Sequence, residues 1–105
     1  MNHEDVMKMM EELGLPFAYD HFVEGEAPEP PFLAFLYPKA ANFAADGVTY
    51  FKVNQLDIEL YTDFKQPGLE EKVEAVLLKY GIFYAKSEVW IESEKLYEVL
   101  YEMEV

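Results

Sequence analysis

The chain reads as one α+β domain over residues 1–105: a mostly antiparallel sheet of about five strands with two helices packed on one face, in the order α-β-β-β-α-β-β. Three observations lead there. Apolar residues recur at helical spacing in two places, Val6–Met9–Met10–Leu13 and Leu69–Val73–Val76–Leu77–Tyr80. Elsewhere they alternate with polar residues, most cleanly in Leu56–Ile58–Leu60 and Tyr97–Val99–Tyr101–Met103–Val105. The alternating runs are joined by short connections, which favour antiparallel neighbours. A chain of 105 residues can enclose one core and not two.

The first helix has its own start and stop. Asn2 can cap it, with Asp5 three positions on to complete a reciprocal box, and Gly14 supplies the left-handed end. Pro16 forbids continuation. PFAYDHF then reads as a short strand, and EGEAPEPP as an extended loop stiffened by proline. FLAFLYP reads as a strand in the centre of the sheet. KAANFAADG reads as a loop of small residues ending in the turn signal Asp46-Gly47. From Val48 to Thr62 a long strand is expected, but Phe51 and Val53 have the opposite parity to Leu56, Ile58 and Leu60. A bulge near Asn54-Gln55 would reconcile them. The second helix follows DFKQPG, with Glu70 and Glu71 in its first turn, Lys79 in its last, and Gly81 as its stop. IFYAKSEVWIE and LYEVLYEMEV are the last two strands, joined by a turn at SEK.

Composition excludes several kinds of function. Twenty-one acids face eight lysines, there is no arginine, and the formal net charge is −13. Binding phosphate needs clustered cations, and base reading favours the arginine fork, so direct nucleic-acid recognition is not expected. With 51% hydrophobic and 16% aromatic residues, the acidity does not signal disorder. There is no cysteine, and thus no disulfide, thiolate nucleophile or zinc–thiolate cluster. The longest apolar run, Phe32 to Tyr37, is far short of the roughly 20 residues that span a bilayer. The opening MNHEDVMKMMEE lacks the basic end and apolar stretch of a secretory signal, so the protein is expected to be made and kept in the cytosol, or released without a secretion signal.

No constellation calls for catalysis, a cofactor or a metal. Asp57, Glu59, Asp63, Glu70, Glu71 and Glu74 fall within one short stretch. Asp57 and Glu59 have the parity opposite to the apolar face, and Glu70, Glu71 and Glu74 lie off the helical stripe. All are expected on solvated surfaces, without the apolar walls that would raise a pKa for acid–base work. His21, beside Asp20, reads as a surface residue, and His3 lies at the very end of the chain; neither has metal-ligand spacing. Ser87 and Ser93 have no nearby histidine. Trp90 and most of the tyrosines are expected to serve the core ahead of an interface. Interface candidates lie instead on loops: Glu24, Glu26 and Glu29 in EGEAPEPP, and Phe43 and Asp46 in AANFAADG.

The runs PPFLAFLYP, ELYTD followed by LEEKVE, and SEVWIESEKLYEVLYEME resemble a family of small tail or minor structural proteins encoded by long-tailed phages and prophages of Gram-positive bacteria. The order of elements is also similar to that of phage tail terminators. The resemblance covers nearly the whole chain and carries no catalytic motif. It implies a virion protein of the tail or neck, present in the host cytoplasm during assembly. It further implies a ring, typically of six copies, in contact with the major tail tube protein and the head–tail connector. In such a ring the loop acids would face a bore and repel DNA. The alternative that fits the same charge is a small acidic module that mimics DNA and occupies a basic groove of another protein.

Overall fold

A computed structural model describes residues 1–40, 43–45, 48–51 and 53–105; within 43–45 and 48–51 it describes the backbone alone. Helix α1 (His3–Glu12) begins as its sequence dictates. The Asn2 side chain accepts from the Asp5 amide at 2.8 Å, and the Asp5 carboxylate accepts from the Asn2 amide at 3.1 Å. Strand β1 (Phe17–Tyr19) follows, then β2 (Phe32–Leu36), β3 (Phe43–Ala45), β4 (Val48–Phe51) and β5 (Gln55–Thr62). Helix α2 (Pro67–Lys79) leads to β6 (Tyr84–Ile91) and β7 (Leu96–Glu104). Gly81 ends α2 at φ 70°, a backbone geometry that costs a side-chain-bearing residue about 1–2 kcal/mol.

Five strands form the main sheet in the order β1-β2-β5-β7-β6. The α+β architecture is the expected one, with a refinement: β1 runs parallel to β2, so the sheet is mixed. Parallel pairing requires a crossover, and residues 20–31, with the EGEAPEPP loop, supply it without a helix. The strand FLAFL is interior but not central, because β5 occupies the middle.

The long strand expected from Val48 to Thr62 is two strands. Its change of parity is met by leaving the sheet, not by a bulge at Asn54-Gln55: β4 ends at Phe51 and β5 opens at Gln55. β4 pairs with β3 in a separate two-stranded sheet, so Phe43–Ala45 is strand where a loop was expected. The turn signal Asp46-Gly47 lies outside the described residues.

One face of the main sheet carries the core. Leu33 and Phe35 of β2, Leu56, Ile58 and Leu60 of β5, and Val99 and Tyr101 of β7 are all essentially inaccessible. Val6, Met9 and Met10 of α1 and Val73 and Leu77 of α2 complete the same cluster, so both helices pack on this face. Among the described residues no helix covers the opposite face.

Candidate functional site

Of the carboxylates that crowd residues 57–74, Asp63 and Glu71 are exposed as expected, and the other four separate into two environments. Asp57 and Glu59 point to the helix-free face, as their parity requires, but they are half-buried there and not fully solvated. Glu59 lies between Ala34 of β2 and Leu100 of β7 in the ladder, with Glu98 nearby. Burial, together with the Glu98 carboxyl group, pushes Glu59 up to about 7. The walls that the sequence does not show come from neighbouring strands.

Glu70 and Glu74 depart further from expectation. They do not lie on the solvent side of α2; Glu70 is buried at 6% exposure, and the most buried positions of the helix are Glu70, Val73 and Leu77. Leu69 and Val76 pack against the core from its margin. Cations from two other elements make this orientation possible. Lys65, before the helix, reaches one Glu70 oxygen at 2.7 Å, and Lys86 of β6 reaches the other at 2.8 Å. Lys86 also holds Glu74 at 2.9 Å, and Lys65 contacts Glu88. The Tyr101 and Tyr84 hydroxyls donate to Glu74 at 2.8 and 3.2 Å. Burial raises both carboxyl groups, but the lysine bonds outweigh it and hold each below its ordinary range. Lys86 is held well above its ordinary value, first by its bond to Glu70. The cluster pins the β6 edge to α2, and its acids are neutralised by partners already in place.

The crossover loop folds over one end of the helix-free face. Phe22 meets Phe32 edge-on at 5.4 Å, and Phe32 stacks on Tyr61 at 5.2 Å. Glu24, Glu26 and Glu29 are exposed on this loop. Phe43 opens β3 opposite Phe51; its side chain and Asp46 lie outside the described residues. His21 is exposed, 2.7 Å from Asp20, as a surface residue should be. Among the described residues no group of three or more His, Asp or Glu side chains is placed to hold a metal ion.

Two apolar features were not anticipated. At the β1 edge an open cleft of about 530 Å³ is lined by His3, Met7, Phe17, Tyr19, Phe35 and Tyr37. His3 is part of the structure despite its terminal position: its Nδ1 lies 2.8 Å from the Tyr37 hydroxyl, and its ring stacks near Phe35. The signal was available, because Phe17, Tyr19, Phe35 and Tyr37 are aromatics at alternate positions of two successive strands. At the opposite edge, Phe83 is 95% exposed and Leu78 76% exposed, on either side of the turn from α2 into β6. The strand expected from Ile82 begins two residues later, which leaves Phe83 outside the ladder.

Among solved structures, a chain in the virion of a native gene transfer agent (GTA) particle has a similar fold. The TM-score is 0.63 with 11% sequence identity, over 91% of this chain and 81% of that one. At that identity the likeness is one of fold. No protein-family model matches the sequence, and comparison with curated proteins yields no significant match.

Proposed function

We propose that this chain is a structural component of a phage-like virion, a tail terminator or head–tail joining protein that acts as a ring at the end of the tail tube. The observation that carries the reading is the fold shared along nearly the whole chain with a component of a virion particle. The sequence resemblance to small tail proteins points the same way. In this reading the protein works by contacts and not by catalysis, with copies of itself, the tail tube protein and the head–tail connector as partners. Exposed apolar side chains such as Phe83 and Leu78 suit a protein whose surface is covered on assembly.

The charge of −13 has a role in this setting. A passage lined with carboxylates repels phosphate and keeps DNA from adhering to the wall. Glu24, Glu26 and Glu29, exposed on the crossover loop, are the candidates for that lining.

Deletion of the gene from the genome that encodes it, followed by electron microscopy of the particles, tests the reading. Filled heads beside free tubes of abnormal length are expected for a terminator. Tailless heads beside tails of normal length would assign the head–tail joint instead. Intact virions would overturn the structural reading and favour the acidic mimic.

A further inference from the structure

We propose that the groove between the crossover loop and the β6–β7 turn is a docking site for an arginine-bearing segment of another protein. The inference stands apart from the virion reading and rests on the shape, lining and charge of this groove.

The groove lies over the helix-free face of the main sheet. Its apolar lining includes Phe22 of the crossover loop, Phe32 of β2, Tyr61 of β5, and Ile91 and Leu96 on either side of the turn. The contacts of Phe32 with Phe22 and with Tyr61 make the three rings one continuous aromatic row. The volume is about 540 Å³, within the roughly 300–1,000 Å³ of sites that hold a ligand. The groove can therefore take a side chain together with part of the segment that carries it.

Charge names the occupant. Asp20, Glu24 and Glu94 share the lining with the apolar residues. His21 engages Asp20, but Glu24 and Glu94 have no ion-pair partner among the described residues. Lys95 belongs to the same turn, yet its ammonium is bound to Glu92 and it does not line the groove. Strand register adds two more acids at the border: Glu59 is opposite Ala34, and Glu98 is opposite Tyr61, both lining residues. Glu59 and Glu98 share a hydrogen bond, and no lysine among the described residues pairs with either.

A neutral apolar occupant would bury these carboxylates without a partner, and an anionic one would be repelled. A cation with an apolar body satisfies both halves of the lining. Arginine suits it better than lysine, because its planar guanidinium stacks on aromatic rings and binds carboxylates through a fork of donors. Its methylene stem can lie along Phe22 and Tyr61 while the head reaches Glu94.

The test titrates the isotopically labelled full chain with the capped pentapeptide Ala-Arg-Leu-Arg-Ala and follows amide shifts by NMR. Saturable shifts should cluster at Phe22, Tyr61, Glu94 and Leu96. Glu94→Lys, at an exposed turn position, should weaken binding at least about tenfold. Glu11→Lys alters net charge equally at an exposed position of α1, the helix packed on the other face of the sheet. It should weaken binding no more than about twofold. The same peptide with citrulline in place of each arginine should give no saturable shift. Absent or scattered shifts with the arginine peptide would overturn the proposal. So would equal weakening by both charge reversals, undiminished binding of the citrulline peptide, or equally tight binding of spermidine.

Discussion

The hydroxyl of Tyr101, fully buried on β7, donates a 2.8 Å hydrogen bond to Oε2 of Glu74 on α2. It links the sheet to the helix through the cluster that also holds Lys86 and Glu70. A buried phenol without a partner would be costly, and a half-buried carboxylate without donors more so. The arrangement therefore fixes how α2 sits on the sheet. Tyr101→Phe should destabilise the protein by about 1–2 kcal/mol. Urea unfolding with an unchanged slope would check it, and an unaltered midpoint would remove the linking role from this bond.

Lys86 is the residue on which Glu70 and Glu74 both depend. Replacement by methionine leaves Glu70 buried with Lys65 alone, and a loss of about 1–2 kcal/mol at pH 7 is expected. The sign with pH follows from the two lowered carboxyl groups. Their contribution is present above the unfolded value near 4.5 and is lost as pH falls through their folded values. Acid unfolding of Lys86→Met should accordingly begin at higher pH than that of the parent chain. Coincident acid transitions, followed by circular dichroism, would contradict this.

Glu59 acts in the opposite direction. Its folded value is raised to about 7, so its protonated form suits the fold. The benefit is complete below the unfolded value of 4.5 and disappears as pH rises through 7. Glu59→Gln should stabilise the chain by about 1–2 kcal/mol at pH 8 and change little at pH 4.5. Paired denaturation curves at the two pH values provide the measurement. A uniform effect at both would show that Glu98 and burial do not act on this carboxyl group.

Asn2→Ala removes the acceptor for the Asp5 amide and leaves the capping box half made. A cost of about 1 kcal/mol is expected, along with faster amide exchange in the first turn of α1. Exchange rates equal to those of the parent would show that His3 and Tyr37 alone hold this end.

The elements legible in the sequence are those whose signals are local. The capping box of α1, the left-handed stop at Gly81 and the alternation of β5 and β7 all depend on residues within one element. What escaped depends on residues that only the fold brings together. Leu69, Val76 and Leu77 mark an apolar stripe that nearly coincides with the true one, so nothing local reveals that Glu70 turns inward. Lys65 and Lys86 decide its direction, and they flank the helix from outside it. The raised Glu59 is of the same kind, because Ala34 and Leu100 reach it from neighbouring strands. Parallel pairing of β1 with β2 likewise follows from the crossover, which its loop sequence does not disclose. The aromatic cleft was half legible, since its rings alternate along two strands while His3 and Met7 come from a third element.

The virion reading is tested most directly by locating the protein in particles. Antibody against this chain, coupled to gold and applied to purified tailed particles from the encoding genome, should label the junction of head and tail. Label at that junction is the predicted result. Particles that carry no label and contain none of the chain by mass spectrometry would contradict the account.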